Sequence, residues 1–73
     1  MAKQISKFNP GDAITYMEGG WNQVVGYILG IEPIGVSVWA TSITMGAQFA
    51  DGVFLPNDFK VSKWQGALPE VLN

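Results

Sequence analysis

Asn22-Gln23-Val24-Val25-Gly26-Tyr27-Ile28-Leu29-Gly30-Ile31 is the stretch on which the fold turns. Its valine, isoleucine, leucine and tyrosine content predicts the longest strand of the chain. Alternate positions sort into Val24, Gly26, Ile28 and Gly30 on one face, and Val25, Tyr27, Leu29 and Ile31 on the other. Both faces are apolar, whereas an antiparallel strand with one wet face alternates apolar with polar. The glycines suit tight bends or close approach of another backbone, as the corners of a barrel require.

Working outward, Asn9-Pro10-Gly11-Asp12 is a turn. Proline presets its first central position and glycine accepts the positive φ that a type II turn needs next. Ala13 to Met17 follows as a strand, with Ile14 and Tyr16 on one face, and Glu18-Gly19-Gly20 breaks it. On the other side of the long strand, Glu32-Pro33-Ile34-Gly35 is a turn and Val36 to Thr41 a third strand. Ser42 to Gly46 is a loop. Gln48 to Leu55 is a fourth strand, interrupted at Asp51-Gly52, where a bulge and a tight hairpin both fit. Pro56 to Phe59 reads as one 3-10 turn before a last strand, Lys60 to Trp64. Residues 1–8 form an N-terminal arm, and residues 66–73 a tail carrying Leu68, Val71 and Leu72. No segment has helical periodicity and no internal repeat is visible. The expected fold is a single all-β domain over residues 1–73, a five-stranded SH3-like barrel with Ile14, Ile28, Val36, Val38, Phe54 and Phe59 in its core.

Gly52-Val53-Phe54-Leu55-Pro56-Asn57-Asp58-Phe59 carries a resemblance to the stretch that closes SH3 domains: glycine, apolar residues, proline, two small or polar residues, then an aromatic. The resemblance implies that Pro56, Asp58 and Phe59 line a groove of the kind that holds proline-rich peptides. Asp58 stands where the family has asparagine, and Phe59 lacks the tyrosine hydroxyl. Gly11-Asp12, Trp21, Val24-Val25-Gly26-Tyr27, Gly35-Val36 and Gly52-Val53 are similar in order and spacing to the plasmid-borne type II dihydrofolate reductases. That family is built of small SH3-like barrels assembled as tetramers around a pore, where a Val-Gln-Ile-Tyr stretch holds folate and NADPH. The matching positions are Gly52-Val53-Phe54-Leu55, without the glutamine or the tyrosine, so the likeness implies the architecture rather than the activity.

A chain of 73 residues buries only about 60–65% of the surface its unfolded form exposes, so its core stabilises it marginally. Domains this small add disulfides, a metal or a partner. Cysteine and histidine are absent, which removes disulfides and the usual zinc and haem ligand sets. Association is the means that remains. Lys3, Lys7, Lys60 and Lys63 are the only cations and the net charge is −2. Phosphate-backbone binding needs clustered cations, so nucleic acid is not an expected partner. The longest apolar run, Val24 to Ile31, is far short of a membrane span. The start MAKQISKF does not read as a signal peptide. A cytoplasmic protein is expected.

From Gly19 to Ala50 the only charged side chain is Glu32, whereas about a quarter of an ordinary globular chain is charged. A sheet face that carries valine, tyrosine, leucine and tryptophan in place of lysine and glutamate implies a cover. With Val36 and Val38 inward, alternation sends Trp39 outward. The expected interface is Trp39, Tyr27, Leu29 and Val25, with Trp21 and Met45 from neighbouring loops, since aromatic and methionine side chains anchor interfaces.

Catalysis needs a base or nucleophile of tuned pKa beside a partner. Asp51 and Asp58 offer a paired-carboxylate reading, but Asp51-Gly52 is turn chemistry and Asp58 suits the cap of a short turn. Gly19-Gly20 precedes a strand, not the helix N-terminus that a phosphate loop requires. No catalytic, cofactor-binding or metal-ligating set is assigned. The expected function is a non-enzymatic protein-interaction module, homo-oligomeric or docked on a larger protein, in the manner of small inhibitors and assembly factors. A pore-forming enzyme like the type II reductases and single-stranded nucleic-acid binding through exposed aromatics are the alternatives.

Overall fold

In the computed structural model, which describes residues 2–71, the decisive stretch is one strand, Asn22–Ile31 (β3), 10 residues long. Before it in the chain come Lys3–Gln4 (β1), a 3-10 segment Ile5–Lys7, and Ala13–Glu18 (β2). After it come Gly35–Ser42 (β4), Asp51–Pro56 (β5) and Lys60–Lys63 (β6). All pairings are antiparallel, in a single 6-stranded sheet of order β1-β6-β2-β3-β4-β5. The sheet is open, with β1 and β5 at its edges.

The turns behave as their residues require. Asp12 N–H donates to the Asn9 carbonyl at 3.0 Å across the proline turn, and Gly11 sits at φ 90°. Gly19 and Gly20 also take positive φ, 63° and 78°, between β2 and β3. The register of β3 on β4 slips between Ile28 and Gly30, leaving Leu29 as a bulged residue and bending the strand. Gly26 faces the core opposite Ala40, and a Cβ there would overlap the Trp39 carbonyl. Close approach of backbone is therefore the reason for this glycine.

One face of the sheet holds the core. Ile14, Val24, Ile28, Val36, Val38, Ala40 and Val61 are buried together with Ile5 and Phe8, and Tyr16, Val53, Leu55 and Phe59 pack against them. A lone sheet covers such a face by curling on itself. The 3-10 segment after β1 packs against β4, and Ile5 and Ser6 N–H groups donate to the carbonyls of Phe59 and Asn57. The first edge is thus drawn round toward the β5–β6 turn.

Four expectations are corrected. Six strands form where five were expected, because residues 1–8 are not a free arm. They supply β1, which pairs with β6 through Lys3↔Val61 and Gln4↔Lys60, and two core side chains. The 3-10 segment lies at Ile5–Lys7, not before the last strand. Pro56 to Phe59 is instead a tight turn closed by Phe59 N–H on the Pro56 carbonyl, 3.0 Å. The fourth expected strand begins at Asp51, and Asp51-Gly52 runs into the ladder without a break, opposite Ala40 and Trp39. Phe54 is not core: it pairs with Ser37 on the outer face and is 51% exposed. Inward Val53 and Leu55 set that parity, since a strand sends neighbours to opposite faces.

The tail leaves β6 with Trp64 N–H on the Ala13 carbonyl, 3.0 Å, and the Trp64 indole N–H on Ala67, 3.2 Å. Glu70 and Val71 finish beside Ala47 and Gln48. Leu68, Pro69 and Val71 are half-buried; Leu72 lies outside the described residues.

Candidate functional site

The outer face of β2 to β5 is made by Thr15 and Met17, Gln23, Val25 and Tyr27, Ser37, Trp39 and Thr41, then Gly52 and Phe54. None of these is charged. Tyr27 and Trp39 are direct cross-strand partners and stack with ring centroids 5.2 Å apart and planes 22° from parallel. Both are half-buried. The Phe54 ring lies over Gly35, whose Cβ, if present, would meet it at 2.5 Å. Leu29, pushed out by the bulge, is 50% exposed. Leu29, Tyr27, Trp39 and Phe54 therefore form an apolar, aromatic-rich surface at one end of the outer face.

The other end of that face is covered by the chain itself. Val25 is 0% exposed and Thr41, its partner across the ladder, 4%, although both point away from the core. The tail leaves β6 beside Ala13 and comes to lie next to the Ala47–Gln48 loop. The Thr41 hydroxyl also donates to the Phe49 carbonyl at 2.6 Å, holding the loop down.

The residues expected at an interface thus divide. Tyr27, Trp39 and Leu29 share the outer surface, and Val25 is corrected to a fully buried residue. Trp21, in the β2–β3 turn, and Met45, in the β4–β5 loop, are exposed at the opposite end of the strands. Phe54 belongs to the surface instead. Its parity was readable from the alternation of Val53 and Leu55, but its apolar character argued for the core. Of the expected groove, Pro56 and Asp58 are exposed while Phe59 is half-buried, its ring edge-on to Tyr16 at 5.0 Å. Asp51 and Asp58 do not meet. One opens β5 and the other lies in the turn after it, separated by a strand about 17 Å long.

A cleft of about 350 Å³ opens where the core face meets the β4–β5 loop, lined by Tyr16, Glu18, Asn22, Ser42, Met45 and Asp51 among others. Its polar groups are tied to one another. The Asn22 side-chain amide donates to Glu18 at 3.2 Å, the Ser42 hydroxyl donates to the Asn22 carbonyl oxygen, and Met45 N–H donates to the Ser42 hydroxyl at 3.0 Å. Burial, and secondarily the Glu18 carboxylate, push the Tyr16 hydroxyl above its ordinary pKa of 10.0. The hydrogen bonds among Glu18, Asn22, Ser42 and Met45 tie the end of β2 and the start of β3 to the end of β4 and the loop that follows it. Among the described residues no group of acidic side chains is placed to hold a metal ion, and no helix is long and apolar enough to cross a membrane.

Comparison with protein-family models, curated proteins and solved structures finds no match to this chain.

Proposed function

We propose that this chain is a cytoplasmic, non-enzymatic interaction module of SH3-like architecture that associates first with copies of itself. The observation that carries the reading is the uncharged outer surface of Leu29, Tyr27, Trp39 and Phe54, half-open around a stacked aromatic pair. Contiguous apolar surface of this kind is costly in water and marks an interface. Rigid aromatic side chains supply contact area at little entropic cost, as interface anchors do. A small core without disulfide or metal gives association a direct stabilising role.

The SH3-like assignment is supported by the strand order β6-β2-β3-β4-β5, with the last strand beside the first of a four-strand meander, and by the bend of β3 at Leu29. Light scattering over a dilution series tests the functional reading. A dimer or larger assembly that dissociates on dilution is expected. The mass of one chain at every concentration would overturn self-association.

A further inference from the structure

β5 is the long free edge of the sheet, and its hydrogen-bonding direction can be deduced. Gly35 C=O accepts from Glu32 N–H at 2.8 Å, and Ile43 N–H donates to Gln23 C=O at 3.0 Å. Residues 35, 37, 39, 41 and 43 therefore turn their polar backbone groups toward β3, and 36, 38 and 40 turn theirs toward β5. Their partners Leu55, Val53 and Asp51 complete the β4–β5 ladder. Gly52 and Phe54 consequently point N–H and C=O out from the sheet edge. Among the described residues neither group takes part in another backbone hydrogen bond.

Natural edge strands are guarded by lysine, an inward charge, a bulge or proline. Between Asp51 and Pro56 this edge reads Gly-Val-Phe-Leu, with no bulge in its register. We propose that a second copy of the chain docks here, β5 against β5, antiparallel about a twofold axis through Val53. The proposal deepens the self-association reading and rests on it.

The register follows from the residues. With Val53 opposite its own copy, Gly52 faces the partner's Phe54 on both sides of the axis. Each such pair exchanges both backbone bonds, giving four hydrogen bonds in all. Centring the axis on Phe54 would set Gly52 against the partner's Pro56, which has no N–H to give. In the Val53 register Asp51 faces the partner's Leu55, and the two Asp51 carboxylates stand about 14 Å apart, beyond the screening length of physiological salt.

The side chains agree with the backbone. Phe54 and Gly52 share the outer face, and nothing lies within 4 Å of where a Gly52 Cβ would stand. Turned from its own Gly35 toward the axis, the partner's Phe54 ring would fill this gap beside Trp39, which is paired with Gly52 on the other side. An aromatic ring laid over a cross-strand glycine is a known device for stabilising such a pair. The row Tyr27, Trp39, Gly52 and the partner's Phe54 becomes continuous across the axis. An edge-to-edge dimer thus covers each Phe54 by a side-chain rotation, with the backbone in place.

Two variants of the full-length chain test this. Val53→Cys supplies the only cysteine, at a position where Cα atoms across a non-hydrogen-bonded pair stand about 4.5 Å apart, within disulfide reach. Under mild oxidation it is expected to convert nearly completely to a cross-linked dimer, while Gln65→Cys, exposed in the tail, does not. Gly52→Pro removes an N–H that the monomer does not use, and is expected to weaken the dimer about 100-fold in light scattering. Its circular dichroism should stay that of the parent. If Gly52→Pro fails to fold, the cysteine pair alone decides. An associating parent whose Val53→Cys form cross-links no better than Gln65→Cys would overturn edge pairing and leave the outer-surface reading standing. A parent that never associates would overturn both.

Discussion

Tyr27 and Trp39 stack across β3 and β4, centroids 5.2 Å apart, on the face of the sheet turned away from the core. Such a pair contributes about 0.5–1.5 kcal/mol beyond its area, and it holds both rings in one orientation for whatever meets them.

Replacing Trp39 by lysine places a charge on that surface and removes the stack. The chain is expected to stay folded, with thermal stability lower by about 1–2 kcal/mol, and to lose its association. Circular dichroism and light scattering on one sample read both effects; unfolding without prior association would show that Trp39 serves the monomer.

Phe54→Ala separates surface from core. Because the ring is half exposed, the monomer should lose only about 1 kcal/mol. Ile28→Ala, at a fully buried position, should cost about 2–5 kcal/mol. Urea denaturation of the two variants measures the contrast, and equal losses would return Phe54 to the core.

Glycines 26 and 30 lie on one strand yet should respond oppositely to alanine. At Gly26 the new Cβ meets the Trp39 carbonyl, a backbone atom, and a loss of about 3 kcal/mol or more is expected. At Gly30 nothing lies within 4 Å, so alanine should be neutral or stabilise by up to about 1 kcal/mol through the unfolded chain. Melting temperatures of the pair check this.

The N-terminal segment should be indispensable. Ile5 is fully buried, so Ile5→Ala is expected to cost about 2–5 kcal/mol, and deletion of residues 1–8 to abolish cooperative unfolding. A truncated chain that melts like the parent would contradict the placement of β1.

Tyr16 gives the pH dependence. Its folded pKa is raised, first by burial and then by Glu18. The protonated phenol therefore contributes stability that is fully present below the unfolded pKa of about 10. That contribution is lost as pH rises through the higher folded value. Tyr16→Phe should flatten the fall in stability above pH 10 in urea titrations; an unchanged slope would place the alkaline sensitivity elsewhere.

The sequence by itself determined the strands from Ala13 to Ile31, the turns at Asn9–Asp12 and Glu18–Gly20, the inward Ile14, Ile28, Val36 and Val38, and the outward Trp39. These follow from local chemistry: β-branched alternation, proline and glycine dihedrals, and the period of two along a strand. Only the tertiary structure decided the rest. Lys3–Gln4 is a strand because β6 offers it an edge, and Ile5 is core because the sheet curls over it. Val25 is buried although it points away from the core, whereas Phe54, equally apolar, is left outside. These outcomes depend on contacts between residues far apart in the chain, which no local pattern encodes.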